Sequence, residues 1–394
     1  MPDLMLLALL LAAIAIGWWL GRREQGRSTS ASHPTNRLSR DYFVGLNYLL
    51  NEQPDQAIET FVQALEVNSD TIETHIALGN LFRLRGEADR AVKIHQNLLA
   101  RPALTAGQSD QVQIELSRDF LHLGVLDRAE RLLQPLAREC PDETRRQTAK
   151  RLLVDLYERE REWHKALETA HPQLTRQDAA TRRAAAHWLC ELAEQDMHSA
   201  SPALARKKLR QALSIDDQCV RANWLLATLE RDTGHYKQQI RLLQRLAEQD
   251  RDFIPIILEP TRDAYLKLED EDGLERCLKQ WIERAPHIST IIMLARQIEQ
   301  HDGLEAAARY VSEQLARTPS LRGLDYLMSL YLDTPEPDQR QPVTLLKQHT
   351  AKLLEARPRF RCHRCGFAGG QLHWQCPRCR QWGTTKPITG LEGE

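Results

Sequence analysis

The chain has 394 residues, 42% of them hydrophobic, 27% charged and 6% aromatic, with a net charge of -1. That charge balance excludes a global pull toward nucleic acid or acidic lipid. Scarce aromatics weigh against a compact β-rich body, while abundant Ala, Leu, Arg, Glu and Gln, all strong helix formers, predict an all-α one.

The first predicted element is "LMLLALLLAAIAIGWWLG", Leu4 to Gly21, which carries no charged side chain and is just long enough to span a bilayer as a helix. A cleaved secretory signal would place its positive charges before such a run. Here Asp3 precedes it, and Arg22, Arg23 and Arg27 follow. Residues 1–21 are therefore expected to be a single transmembrane anchor with everything after Arg22 on the cytoplasmic side, Trp18 and Trp19 lying at the headgroup level. Residues 22–37 lack an apolar period and read as a polar tether.

From about residue 38 to 355 the chain repeats itself. Gly45 and Gly79 stand 34 residues apart, as do Ala57 and Ala91, and Tyr48 is matched by Phe82. Gly, an aromatic three residues later and Ala nine after that form the tetratricopeptide pattern, in which small residues let two helices of one repeat approach closely. Phe61 and Ala64 occupy the remaining positions of the first repeat, and Ala129, Ala166, Ala205 and Ala307 mark further members with slippage. The excess spacing before Ala129 is assigned to a polar insertion, "RPALTAGQSD". About eight repeats are expected, because one helix pair cannot bury its apolar stripe alone and a stack of them buries a continuous core. Pro141, Pro286 and Pro319 fall where second helices should stop.

No Gly-rich phosphate loop, HExxH or GxSxG pattern occurs in this stretch. His75, His95, His122, His164, His187 and His235 are isolated and read as packing or surface residues, and the acidic run Glu269 to Asp272 reads as a solvated turn. Cys140, Cys190, Cys219 and Cys277 are scattered, as expected of small core residues. A non-enzymatic protein is the expectation.

The C-terminus differs. Cys362-x-x-Cys365 and Cys376-x-x-Cys379 are separated by ten residues. Two such knuckles facing each other complete a tetrahedral four-sulfur site with no open position, hence structural in role. Ligands of this kind leave iron and zinc both open. His363 and His373 lie nearby but are not needed as ligands. Arg357, Arg359, Arg361, Arg364, Arg378, Arg380 and Lys386 occur with no acid between Glu355 and Glu392. Part of that charge would offset the metal–thiolate centre. The rest could meet anionic lipid, an acidic protein face or RNA, although the anchor and the neutral array count against a nucleic-acid partner.

The anchor ending in "GWWLGRR", then "NRLSRDY", "LGNLFRLRGEADRAVKIHQ" and the closing "RCHRCGF…HWQCPRCRQW…KPITGL" resemble the lipopolysaccharide assembly protein B family, in order along the whole chain. These are inner-membrane tetratricopeptide proteins of Gram-negative bacteria with a rubredoxin-like tail. The resemblance implies an adaptor that works with the membrane protease FtsH and promotes degradation of LpxC, the deacetylase that commits precursors to lipid A. It also implies a link to a membrane-embedded regulator that senses lipopolysaccharide. Cys362, Cys365, Cys376 and Cys379 match the family's metal ligands, the expected metal being iron, and the rubredoxin-like domain spans 357–388. Self-association is left open. The alternatives are a passive scaffold gathering lipopolysaccharide synthesis and export proteins, and a tethered RNA-binding ribbon.

Overall fold

A computed structural model describes residues 40–51, 53–67, 72–102, 104–199, 201–333, 340–355, 357–391 and 393. The expected anchor and tether lie outside these residues, and among them no helix is long and apolar enough to cross a membrane. The chain divides into two compact units, Met1–Leu136 and Ala137–Glu394.

The first unit holds α1 (Arg40–Leu50), α2 (Pro54–Val67), α3 (Ile72–Leu84), α4 (Ala88–Leu99), α5 (Ala106–Leu123) and most of α6 (Leu126–Glu139). Its small residues do the steric work their spacing implies. A Cβ on Gly45 would lie 2.6 Å from the Phe61 ring, and one on Gly79 would lie 2.5 Å from the His95 ring. Each glycine thus accepts a ring from the partner helix, and Ala57, Ala91 and Ala129 are fully buried. His95 is a packing histidine that also bonds through Nδ1 to Asp119 Oδ2 at 2.5 Å, while Arg83 reaches Asp119 and Glu115. The buried carboxylate therefore ties α3, α4 and α5 together, which removes the cost of leaving it unpaired.

The expected insertion before Ala129 is only half a loop. Residues 106–110 already belong to α5, because Thr105 accepts from the Gln108 N–H and the Gln108 side chain accepts from the Thr105 N–H. This reciprocal capping box starts a helix where polar composition alone suggests a loop.

The second unit continues with α7 (Glu143–Glu160), α8 (Trp163–Ala170), a short α9 (Gln173–Gln177), α10 (Ala179–His198), α11 (Pro202–Ile215), α12 (Val220–Asp232) and α13 (Tyr236–Gln249). A 3-10 turn (Arg251–Phe253) leads into α14 (Ile254–Lys267), α15 (Glu271–Arg284), α16 (Ile288–Asp302), α17 (Leu304–Arg317), α18 (Leu321–Leu332) and α19 (Arg340–Glu355). From α10 onward each helix packs on the next, so the core is passed along the chain. Ala166, Ala205 and Ala307 are fully buried, as are Cys140, Cys190, Cys219 and Cys277 to within a few per cent. Pro141, Pro286 and Pro319 each stand two residues after a helix end.

The turns inside repeats need a left-handed residue two positions before the second helix. Gly86, Gly124 and Gly234 supply it with φ of 84°, 73° and 76°, and Arg161 and Glu269 fill the same place at 58° and 54°. The acidic run is thus part turn and part helix: Asp270 caps the Gly273 N–H, and Glu271 and Asp272 open α15. The pair α18–α19 was not marked by the small-residue pattern.

The C-terminal ribbon is a three-stranded antiparallel sheet in the order β2–β1–β3, from β1 (Phe360–Cys362), β2 (Ala368–Gly369) and β3 (Thr385–Pro387). Phe360 pairs with both Gly369 and Pro387, and Cys362 with Thr385. Few of its side chains are buried, chiefly Cys362, Cys376, Trp382, Thr385 and Pro387. A core that small cannot hold a fold of this size without a staple.

Candidate metal centre and its seat

Each C-x-x-C segment bends back on itself in the same way. The Gly366 N–H donates to the Cys362 carbonyl at 3.0 Å, and the Arg380 N–H donates to the Cys376 carbonyl at 2.8 Å. The residue after each second cysteine is left-handed, Gly366 at φ 74° and Arg380 at φ 57°. The same turn is thus built once with glycine and once with arginine.

The two bends bring all four sulfurs together, every pair within 4.8 Å. Cys362 and Cys379 stand 3.7 Å apart and Cys365 and Cys376 3.6 Å apart. Sulfurs at about 2.3 Å from one ion in a tetrahedron would be separated by about 3.8 Å, so the cage fits one tetrahedral cation. Thr384 Oγ1 lies 3.3 Å from the Cys362 sulfur. Burial alone would raise the Cys362 thiol, but the Thr384 hydroxyl and the N–H groups of Cys365 and Arg364 outweigh it and bring the group down to about 6. Cys379, which burial raises, holds its proton more tightly. A metal bound here would make thiolates of the set and supply structural rigidity. His363 is exposed and His373 packs edge-on against Phe367 at 6.1 Å, so neither stands among the sulfurs.

The second element of the site has no counterpart in the sequence reading. The ribbon sits on the array through two tryptophans. Trp382 is buried, stacks on His187 of α10 with centroids 5.1 Å apart, and meets Trp163 of α8 edge-on at 5.9 Å. Its indole N–H donates to Glu158 Oε1 of α7 at 2.5 Å, the same oxygen that accepts from Trp188 of α10 at 2.7 Å. Trp374 stacks on Phe253 at 5.7 Å with planes 5° apart, and the Arg221 guanidinium lies 5.8 Å above it. His187 is thus a packing histidine, as its isolation suggested, but what it packs against is the ribbon.

Charge completes the seat. Lys386 of β3 binds Asp250 at 2.7 Å and Asp252 at 3.0 Å, and Arg380 approaches Asp155 at 3.4 Å. Lys386 and Arg380 of the ribbon are therefore matched by acids of the array. Burial raises the Glu158 carboxyl despite its two indole donors, and burial with the nearby Arg221 and Arg183 charges pushes His187 down to about 3, leaving a neutral ring between the tryptophans. Gly383 is needed at the contact, since a Cβ there would stand 3.2 Å from His187 Nε2 on a backbone with φ 63°.

A family model described as a rubredoxin metal binding domain matches residues 360–387, the sheet and both knuckles. The chain is 36% identical over 99% of both lengths to the lipopolysaccharide assembly protein B of Escherichia coli (strain K12). It is 34% identical over the full length of both chains to the protein of that name from Haemophilus influenzae. A solved structure of Naa15/Naa10 bound to HypK-THB aligns at 14% identity over 81% of this chain and 47% of that one, with a TM-score of 0.42. End-to-end identity to two relatives of one name, with the ribbon domain matched at its expected place, settles the lineage: the chain belongs to the lipopolysaccharide assembly protein B family.

Proposed function

We propose that this protein is a non-enzymatic inner-membrane adaptor that regulates lipopolysaccharide assembly by promoting FtsH-dependent degradation of LpxC. The observation that carries the proposal is the end-to-end similarity to proteins named for lipopolysaccharide assembly. The architecture supports it. An uncharged run at residues 4–21 followed by Arg22, Arg23 and Arg27 would anchor the chain with its repeats on the cytoplasmic side. Helix pairs of this kind offer extended surfaces for protein partners. Tethering beside a membrane protease raises the effective concentration of a held client, so a weak client contact suffices.

Within this reading the four cysteines hold one iron ion, with zinc the alternative, and the ion's task is mechanical. It makes a rigid head of a segment that cannot fold on apolar burial alone, and that head is pinned across α7, α8, α10 and the 3-10 turn. The membrane-embedded regulator would act by restraining this adaptor.

The test is reconstitution. FtsH and LpxC in liposomes, with and without the purified full chain, should show LpxC consumed several times faster when the chain is present. Equal rates, with the chain folded and metal-loaded, would remove the adaptor reading and leave the passive scaffold.

A further inference from the structure

We propose that a cavity beside the ribbon binds a peptide segment in which carboxylates alternate with apolar side chains; this rests on the adaptor reading and specifies the client chemistry. The cavity, of about 510 Å3, lies between the ribbon and helices α14, α16 and α18. Four arginines line it: Arg296 of α16, Arg322 in the first turn of α18, and Arg357 and Arg359 in the strand approach. Glu259 is the one acid among the described lining residues. The floor is apolar, with Ile292, Met293, Phe360 and Ile388.

Guanidinium forks above an apolar floor recognise a carboxylate bidentately while the floor takes the neighbouring aliphatic group. The volume falls within the range of ligand pockets. The fold fixes the position of two of the four arginines. Arg296 stacks over Tyr326 at 5.8 Å, and the Arg359 backbone is fixed in the ribbon by its N–H to Gly369 and by the Ile388 N–H to its carbonyl. Since Arg359 belongs to the ribbon and Arg296 to the array, the site is complete only when the ribbon is seated.

The probe is a fluorescein-labelled hexapeptide of alternating leucine and glutamate, with its leucine–glutamine counterpart, titrated by anisotropy into the full chain. The glutamate peptide should bind about tenfold tighter, and Arg296→Gln with Arg359→Gln should cost about tenfold in affinity. Arg364→Gln with Arg378→Gln removes equal charge from the exposed knuckles and should leave binding unchanged. Equal losses in the two double variants would reduce the effect to surface charge and overturn the site. Indifference to glutamate against glutamine would do the same.

No detectable binding of the glutamate peptide to the intact chain would also overturn it. Displacement of the peptide by phosphatidylglycerol vesicles, dependent on Arg296 and Arg359, would assign the cavity to a lipid headgroup instead. The readout is peptide affinity, so it can fail while reconstituted LpxC degradation is still accelerated, and the reverse.

Discussion

Replacing Trp382 by alanine should release the ribbon from the array without emptying its metal site. The side chain is 6% exposed and joins three helices, through His187, Trp163 and the hydrogen bond to Glu158. Truncating a buried tryptophan costs about 3–5 kcal/mol. Most of what Trp382 touches belongs to the array, so the loss should fall on docking, and about 3 kcal/mol lowers the docked-to-free ratio more than 100-fold. Trp382→Phe separates the parts: the ring contacts stay, the N–H donor goes, and about 1.5–3 kcal/mol is expected for a hydrogen bond to a carboxylate. Amide hydrogen exchange on the full chain reads this directly. Exchange should rise in the Arg251–Phe253 turn and around His187, far more for alanine than for phenylalanine, with metal content unchanged. If Trp382→Ala leaves exchange at the seat unaltered, the contacts carry no docking energy. If it strips the metal, Trp382 serves the ribbon's own core and the separation of seat from cage is wrong.

Cys362→Ser should unfold the ribbon, since structural metal binding supplies about 10 kcal/mol or more to such a domain, while far-ultraviolet dichroism stays helical; unchanged metal by elemental analysis would refute it. Acid should loosen the seat. His187 has its pKa lowered from 6.5 to about 3, so its contribution is full above pH 6.5 and is lost as pH falls toward 3, about 2 kcal/mol by pH 5. Glu158, raised by burial, opposes this, its contribution being present below its ordinary value and lost as pH rises through its seated one. Tryptophan fluorescence should therefore report undocking on acidification, and His187→Gln should flatten the profile; an equally steep profile in that variant would exclude His187 as the cause. At the knuckles, Gly366→Ala should cost about 1–2 kcal/mol because φ is 74° there. Arg380→Gly should be near neutral, trading relief at φ 57° for the exposed Asp155 pair. Metal release by a chelator ranks the two, and a more labile Arg380→Gly ribbon would contradict this account of the turns.

What could be read from sequence was local or periodic. Gly45 and Gly79 announced close helix approach because a fixed 34-residue offset repeats the same steric demand, and the rings of Phe61 and His95 meet it. The four cysteines announced their cage because the spacing within each knuckle is itself the geometry. The seat was silent, because Trp382 and Glu158 are 224 residues apart and neither belongs to a pattern. Two tryptophans in so short a ribbon, more aromatic surface than its small interior can hide, were the available signal. The acids Asp250 and Asp252 belong to no sequence motif, and only the fold brings Lys386 to them. The boundary of α5 was missed for a different reason: Thr105 and Gln108 form a helix start that composition masks.

The central claim is that the chain controls how long LpxC survives. The most direct measurement is the half-life of LpxC after a block of protein synthesis, in cells carrying the intact chain, the Cys362→Ser variant or neither. The account predicts a short half-life with the intact chain and a long one in the other two. A half-life that is the same in all three, in cells still defective in lipopolysaccharide, would contradict it and favour a scaffold that gathers its partners without shortening their lives.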